Sequence, residues 1–191
     1  CYSSLPARDL VTLELVCRRL RDLVCGDENA WKACAEVAWG RTHNFATGSV
    51  VNGQLNLNSN ATANFIGTTQ TNGQFNNASN QPLTINGGTL TLNAGMNWSG
   101  SGSIFGAGLS PTLVIPAGQT LSTTVGPKSI GTVTVNNAGT LALNTSLTLG
   151  GGGLVTLNNS NLIEFQTAGA SGISGTTPTN NTGTIRSVHG G

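Results

Sequence analysis

The chain shows two different spacings of apolar residues, and the change falls near positions 42–48. In the first part, apolar residues recur at steps of three and four, which is the spacing of one face of a helix. The residues on this face are Leu10, Leu13, Cys17, Leu20 and Val24. Asp27 can cap a second helix, which carries Trp31 on its inner face. The pattern therefore predicts two short helices within residues 1–41.

From about position 49 the pattern changes to short apolar–polar alternations separated by glycine and asparagine. Four such stretches align with one another: 83–92, 113–123, 133–143 and 155–165. Turn glycines recur at intervals of about 20–23 residues or multiples of that length. A period of this length, with alternation inside each strand, is typical of a β-solenoid. We therefore predict a mainly β fold, a parallel β-solenoid (β-helix) of about six to seven coils, with a length of roughly 30 Å.

An antiparallel sandwich or barrel is the alternative for this region, because its short strands also permit that arrangement. The solenoid is favoured because the unit of turn plus strand recurs at the length of one coil. The predicted organisation has helices over 1–41, a linker over 42–48 and the repeat region over 49–191.

The distribution of charge agrees with this division. The net charge is +1, and twelve of the fifteen Lys, Arg, Asp and Glu residues lie before position 42. Neither part clusters the basic residues that a nucleic-acid surface needs, so no nucleic-acid partner is expected. No run of about 18 apolar residues occurs, so no membrane span is expected.

The first part also carries a motif. The stretch LPARDLVTLELVCRRLRDLVCGDENAWK (5–32) resembles the latter two-thirds of an F-box. The matching positions are Leu10, Leu13, Val16, Cys17, Arg18, Leu20 and Trp31. The first F-box helix is missing, and because the chain starts on Cys1 rather than Met, we expect it to be a fragment.

The resemblance implies a partner and a function. In the family, the apolar face of this motif docks on the Skp adaptor of a cullin–RING ubiquitin ligase, so Leu10, Leu13, Val16, Cys17, Leu20 and Trp31 are the candidate adaptor-binding residues. The expected function is that of a substrate receptor, in which the solenoid presents a face to a target protein whose identity is unknown. The expected location is the cytoplasm or nucleus.

A second interpretation assigns the chain to the cell surface. The repeat region is similar to parallel β-helix proteins, including bacterial adhesin passengers and the pectin-lyase-like group. Its content of asparagine, threonine and glycine, with few charges, suits a surface or secreted adhesive solenoid. The helices would then serve only as a cap over the end of the repeat stack.

Enzymatic chemistry is not expected. Glycoside hydrolysis normally needs two carboxyl groups, and beyond position 36 the chain has only Glu164. A serine–histidine–acid triad could draw only on Glu164 with His43 or His189, and nothing in the sequence places them together. No cofactor is expected, and the cysteine spacing favours buried free thiols over a metal site or a disulfide. Trp98 is interpreted as a filler of the core or its edge rather than an exposed ring for carbohydrate.

Overall fold

The computed structural model describes residues 36–37, 42–124, 126–151, 153–167, 172–175 and 178–188. Glu36 and Val37, which fall in the second predicted helix, instead form a short strand that pairs in parallel with residues 56–57. The rest of the predicted helices lies outside the described residues, and so do all of the candidate adaptor-binding residues. Within the described ranges the secondary structure consists of strands and turns. No segment of this part forms an apolar helix of membrane-spanning length.

The 22 strands of the described ranges fall into three sheets, which we call A, B and C. Sheet A contains β1 (Glu36–Val37), β4 (Leu55–Leu57), β7 (Phe75–Asn77), β10 (Met96–Trp98), β13 (Thr120–Thr123), β16 (Thr140–Leu143), β19 (Leu162–Phe165) and β22 (Thr184–Ser187). Sheet B contains β2 (Thr42–Phe45), β5 (Thr62–Ile66), β8 (Leu83–Asn86), β11 (Ile104–Ala107), β14 (Lys128–Gly131), β17 (Leu147–Leu149) and β20 (Ile173–Ser174). Sheet C contains β3 (Val50–Val51), β6 (Thr69–Thr71), β9 (Thr89–Leu92), β12 (Thr112–Ile115), β15 (Thr134–Asn137), β18 (Thr156–Asn159) and β21 (Thr179–Asn181).

Successive strands enter the three sheets in the fixed order A, B, C, and each strand pairs in parallel with the strand three places later. This connectivity makes a parallel β-solenoid of about six turns, so the predicted fold class of the repeat region is confirmed. The antiparallel alternative is wrong, because all of the pairings between described strands are parallel. The segment assigned to a linker contains β2, which pairs with β5 residue for residue.

One predicted alignment is wrong. The stretch 83–92 was aligned with 113–123, but it turns from sheet B to sheet C, whereas 113–123 turns from sheet C to sheet A. Both corners join two short alternating strands through glycine, so their sequences look alike. The true equivalent of Leu113 in the previous coil is Leu90.

The core lies inside the coil and is built from the alternate residues of each strand. In β4, for example, Leu55 and Leu57 are buried while Asn56 between them faces outward. Each buried leucine or isoleucine of this kind contributes roughly 1.5–3 kcal/mol relative to an exposed one. Paired strands stack these side chains in ladders, such as Leu90, Leu113, Val135 and Leu157 in sheet C.

Glycine at one corner is required by the close stacking of turns. A Cβ atom on Gly73 would collide with the carbonyl oxygen of Gly53, which lies one coil below. The two glycines begin equivalent corner turns, which explains why the spacing between them marks the repeat in the sequence.

Candidate binding face

The residues considered for catalysis are not brought together. His43 lies on β2 in sheet B at the start of the solenoid, while Glu164 lies on β19 in sheet A near its end. Glu164 accepts hydrogen bonds from Gln166 (3.0 Å) and from Arg186 Nε (2.8 Å). These bonds, the one from Gln166 first, hold the pKa of the Glu164 carboxyl below its usual value. Glu164 is therefore part of a surface ion pair, and His189 lies outside the described residues.

Sheet C presents a regular array of polar side chains on its outer face. One ladder, which we call the threonine column, places the first residues of four consecutive strands in register. Its members are Thr89, Thr112, Thr134 and Thr156. Because side chains alternate between the two faces, the next outward residue lies two positions later on each strand. This second ladder consists of Thr91, Val114, Asn136, Asn158 and Asn180, and we call its last three members the amide column.

Hydrogen bonds order the amide column. Asn158 Nδ2 donates to Asn136 Oδ1 at 2.8 Å, and Asn180 Nδ2 donates to Asn158 Oδ1 at 2.8 Å. A primary amide has two N–H donors and two acceptor lone pairs, and in the middle of the column the ladder uses one of each. The column therefore offers a donor and an acceptor to an external ligand at the repeat of the strands, ~4.8 Å.

A groove of about 370 Å³ runs beside the amide column, at the corner that leads to sheet A. Its lining includes Asn136, Asn158 and Asn180 on one side and Ala138, Ser160 and Thr182 on the other. The corner is fixed from within, because Ser160 Oγ donates to the Asn137 carbonyl oxygen (3.2 Å) and Thr182 Oγ1 to that of Asn159 (3.3 Å). The groove is thus uncharged and held in shape by the backbone, and most of its exposed lining is apolar although asparagine side chains contribute to it.

Ionisable side chains are missing from sheet C as far as its strands are described. The described charged residues of the later coils lie elsewhere, with Lys128 in sheet B and Glu164 and Arg186 in sheet A. Sheet C therefore combines repeated hydrogen-bonding groups with electrical neutrality over four or more strands.

Trp98 and Lys128 are both buried inside the coil. Trp98 is fully buried and its Nε1 donates to the Gly102 carbonyl oxygen at 3.0 Å, so the interpretation of this ring as a core filler is confirmed. Lys128 Nζ donates to the Gly100 carbonyl oxygen at 2.7 Å and lies 5.6 Å from the centre of the Trp98 ring. Burial lowers the pKa of the Lys128 amine. The role of Lys128 is structural, since only 1% of its surface is exposed.

The threonine and amide columns were missed in the sequence, although a signal for them exists. Thr-x-Thr or Thr-x-Asn occurs at 89–91, 134–136 and 156–158, with Thr-x-Val at 112–114. Reading the period from the first residue of each strand, rather than from the turn glycines, would have placed these side chains on one face. The described residues contain no group of three or more His, Cys, Asp or Glu side chains suited to a metal ion.

Comparisons with known proteins give no relative: no family model, no curated protein and no solved structure matches this chain.

Proposed function

We propose that the protein is a surface-binding β-solenoid, in which the outer face of sheet C is the contact surface. The observation that carries this proposal is the pairing of the threonine column with the amide column on one uncharged sheet. This is the surface or secreted alternative of the sequence analysis, and it gives the repeat region a role that does not depend on the helices.

The arrangement suits adhesion by many weak, equivalent contacts. A single neutral hydrogen bond contributes only about 0.5–1.5 kcal/mol, so one rung alone would bind weakly. Repetition along the rod multiplies the contacts, and the second contact becomes intramolecular once the first has formed. The parallel sheet fixes the groups in advance, which reduces the ordering cost of binding.

Adhesion of protein-coated beads tests the proposal. Beads carrying the full chain are expected to remain attached under flow to a neutral solid such as cellulose, chitin or ice, and Asn136→Lys is expected to weaken attachment. The matched control is Asn56→Lys, which changes an asparagine of the sheet A outer ladder. Attachment no stronger than that of albumin-coated beads on all three solids, or equal loss in both variants, would contradict the proposal.

A second function is kept because of one observation, the F-box-like spacing from Leu10 through Val16 and Cys17 to Trp31. By this proposal the chain is a substrate receptor in the cytoplasm or nucleus, and the helices bind a Skp adaptor. An affinity pull-down of a Skp adaptor by the full chain, expressed with any sequence that precedes it, tests this function. Binding should weaken in Leu13→Asp, because the substitution puts a charge on the apolar stripe. Absence of binding by the unmodified protein would remove this candidate.

A further inference from the structure

We propose that the solid bound by the outer face of sheet C is ice. This inference rests on the proposed function only in taking that face as the contact surface, and it names the chemistry of the ligand. Three properties of the face lead to it: its two-dimensional spacing, the kind of groups that it presents, and the way in which they are held.

The spacing of the face is that of a rectangular lattice. Adjacent strands of the threonine column are ~4.8 Å apart, and the two columns are separated by two residues along the strand, or about 6.6 Å. The threonine column keeps its register over the four strands β9, β12, β15 and β18, and the two columns lie side by side on β15 and β18, where Asn136 and Asn158 follow Thr134 and Thr156. Water molecules at the surface of ice also form a lattice with repeats of similar size in two directions, so several rungs can be occupied at once.

The groups on the face suit water in a crystal. Each threonine offers a hydroxyl, which donates and accepts, beside a methyl group, and each asparagine offers both a donor and an acceptor. The hydroxyls of Thr89, Thr134 and Thr156 have no hydrogen-bond partner in the described part of the chain, whereas Thr112 Oγ1 donates to the Ser110 carbonyl oxygen at 3.1 Å. A charged group would hold its own hydration shell and disturb a water lattice, and sheet C has none among its described strands.

The face is held rigid from behind. The residues between the two outward ladders of sheet C, Leu113, Val135 and Leu157, are buried in the core and stack on one another. On the outside, the amide column is tied from Asn136 to Asn180 by its own hydrogen bonds. Few rotamers remain to be lost when a crystal surface is bound.

The other two outer faces do not combine these properties. Sheet A also carries hydrogen-bonded outward asparagines, Asn56 and Asn76, but its row of outward threonines is interrupted by Leu162 and its last strands contain the ion pair of Glu164 with Arg186. In the outer ladder of sheet B, Thr84 is followed in the next two coils by Phe105 and Gly131, which carry no hydroxyl group. Ice recognition is therefore assigned to sheet C alone.

Thermal hysteresis, the gap between the melting and freezing temperatures of a single ice crystal, tests the proposal with the purified full chain. We expect a measurable gap and faceted crystals. Thr134→Lys should reduce the gap about tenfold or more, because the lysine head must stay hydrated on a face that needs a water lattice. The matched control is Thr84→Lys, a half-buried outward threonine on sheet B, which should keep the gap. Thr156→Tyr serves as a second variant of the same column if Thr134→Lys does not fold.

Round, unshaped crystals with no hysteresis in the folded wild-type chain would overturn the inference. Equal loss in Thr134→Lys and Thr84→Lys, with both variants folded by circular dichroism, would also overturn it. Beads that hold to cellulose or chitin in the flow assay, together with a negative result on ice, would overturn the ice proposal and leave the proposed function in place.

Discussion

The early and late coils fill the inside of the same solenoid in different ways. In the early coils, Phe45 stacks on Phe65 with ring centres 4.7 Å apart, and Phe65 contacts Phe75 at 6.0 Å. In the late coils, the last inward position of sheet C holds buried asparagines in place of apolar residues. Asn137 donates to Asn159 at 2.6 Å, and Asn159 donates to Asn181 at 2.6 Å. One backbone repeat therefore accepts either packing by rings or a ladder of hydrogen-bonded amides.

The two solutions differ in how they tolerate change. The stability that packed rings provide depends on the volume they fill, so it decreases gradually as atoms are removed. An amide ladder depends on every member having a partner, so it fails when one member is lost. The first member of the ladder shows what a missing partner costs. The equivalent residue in the previous coil is Ile115, which cannot donate a hydrogen bond, and Asn137 Oδ1 has no hydrogen-bond partner.

The largest effect is expected for Phe65→Ala in the aromatic region. The substitution removes a fully buried ring with contacts on both sides, which should lower the free energy of unfolding by about 3–5 kcal/mol. Urea denaturation followed by circular dichroism measures this change. The control is Ile66→Ala, one residue later on the same strand, where the side chain faces outward and 38% of its surface is exposed. Similar losses in the two variants would show that the rings do not carry the packing of the early coils.

A smaller effect is expected for Asn159→Leu in the amide region. The substitution leaves the Asn137 amide without one of its acceptors and the Asn181 oxygen without its donor, at a cost of about 1–3 kcal/mol. Adding Asn137→Leu should cost less than the sum of the two single changes, because the buried groups are then removed together. A double-mutant cycle in urea measures this coupling. Additive losses would mean that the ladder does not act as a unit, and Asn158→Leu on the outer face provides the control.

The sequence was sufficient to predict the coil but not its corners. The alternation and the period of about 22 residues identified the parallel solenoid, and Trp98 was correctly interpreted as a filler of the core or its edge. The three corners could not be told apart, because each joins short strands of similar pattern through small residues. Asn136 and Asn137 show the remaining difficulty: identical neighbours point to opposite sides, and only the phase set by Val135 decides which one is buried.

Lys128 was missed for a different physical reason. A lysine in an alternating strand is normally an outward residue, yet here Lys128 takes the inward position that Leu147 fills in the next coil. The amine is accommodated because the carbonyl oxygens of Ser99 and Gly100 turn inward at the neighbouring corner and accept its hydrogen bonds. Sequence patterns do not reveal such inward carbonyl groups, so the burial of this charge could not be predicted from the sequence.

The smallest effect at neutral pH is expected for Lys128→Met, at the boundary between the aromatic and amide regions. The change removes a buried charge but leaves two carbonyl oxygens without a donor, so the free energy of unfolding should change by only about 1 kcal/mol in either direction. The pH dependence is the sharper readout. Burial lowers the pKa of Lys128 below its ordinary value of 10.5, so between the two pKa values the unfolded chain binds more protons than the folded one. Stability should therefore rise with pH across that window.

Urea denaturation at a series of alkaline pH values measures this slope in the wild type and in Lys128→Met. The slope attributable to Lys128 should be absent from the variant, while the other alkaline groups of the chain titrate equally in both proteins. An identical pH dependence in the two proteins would mean that the amine is as well solvated as in the unfolded chain. The interior of the coil that contains Lys128 would then be open to water. The contrast between packed rings in the early coils and hydrogen-bonded amides in the late coils would not apply to that coil.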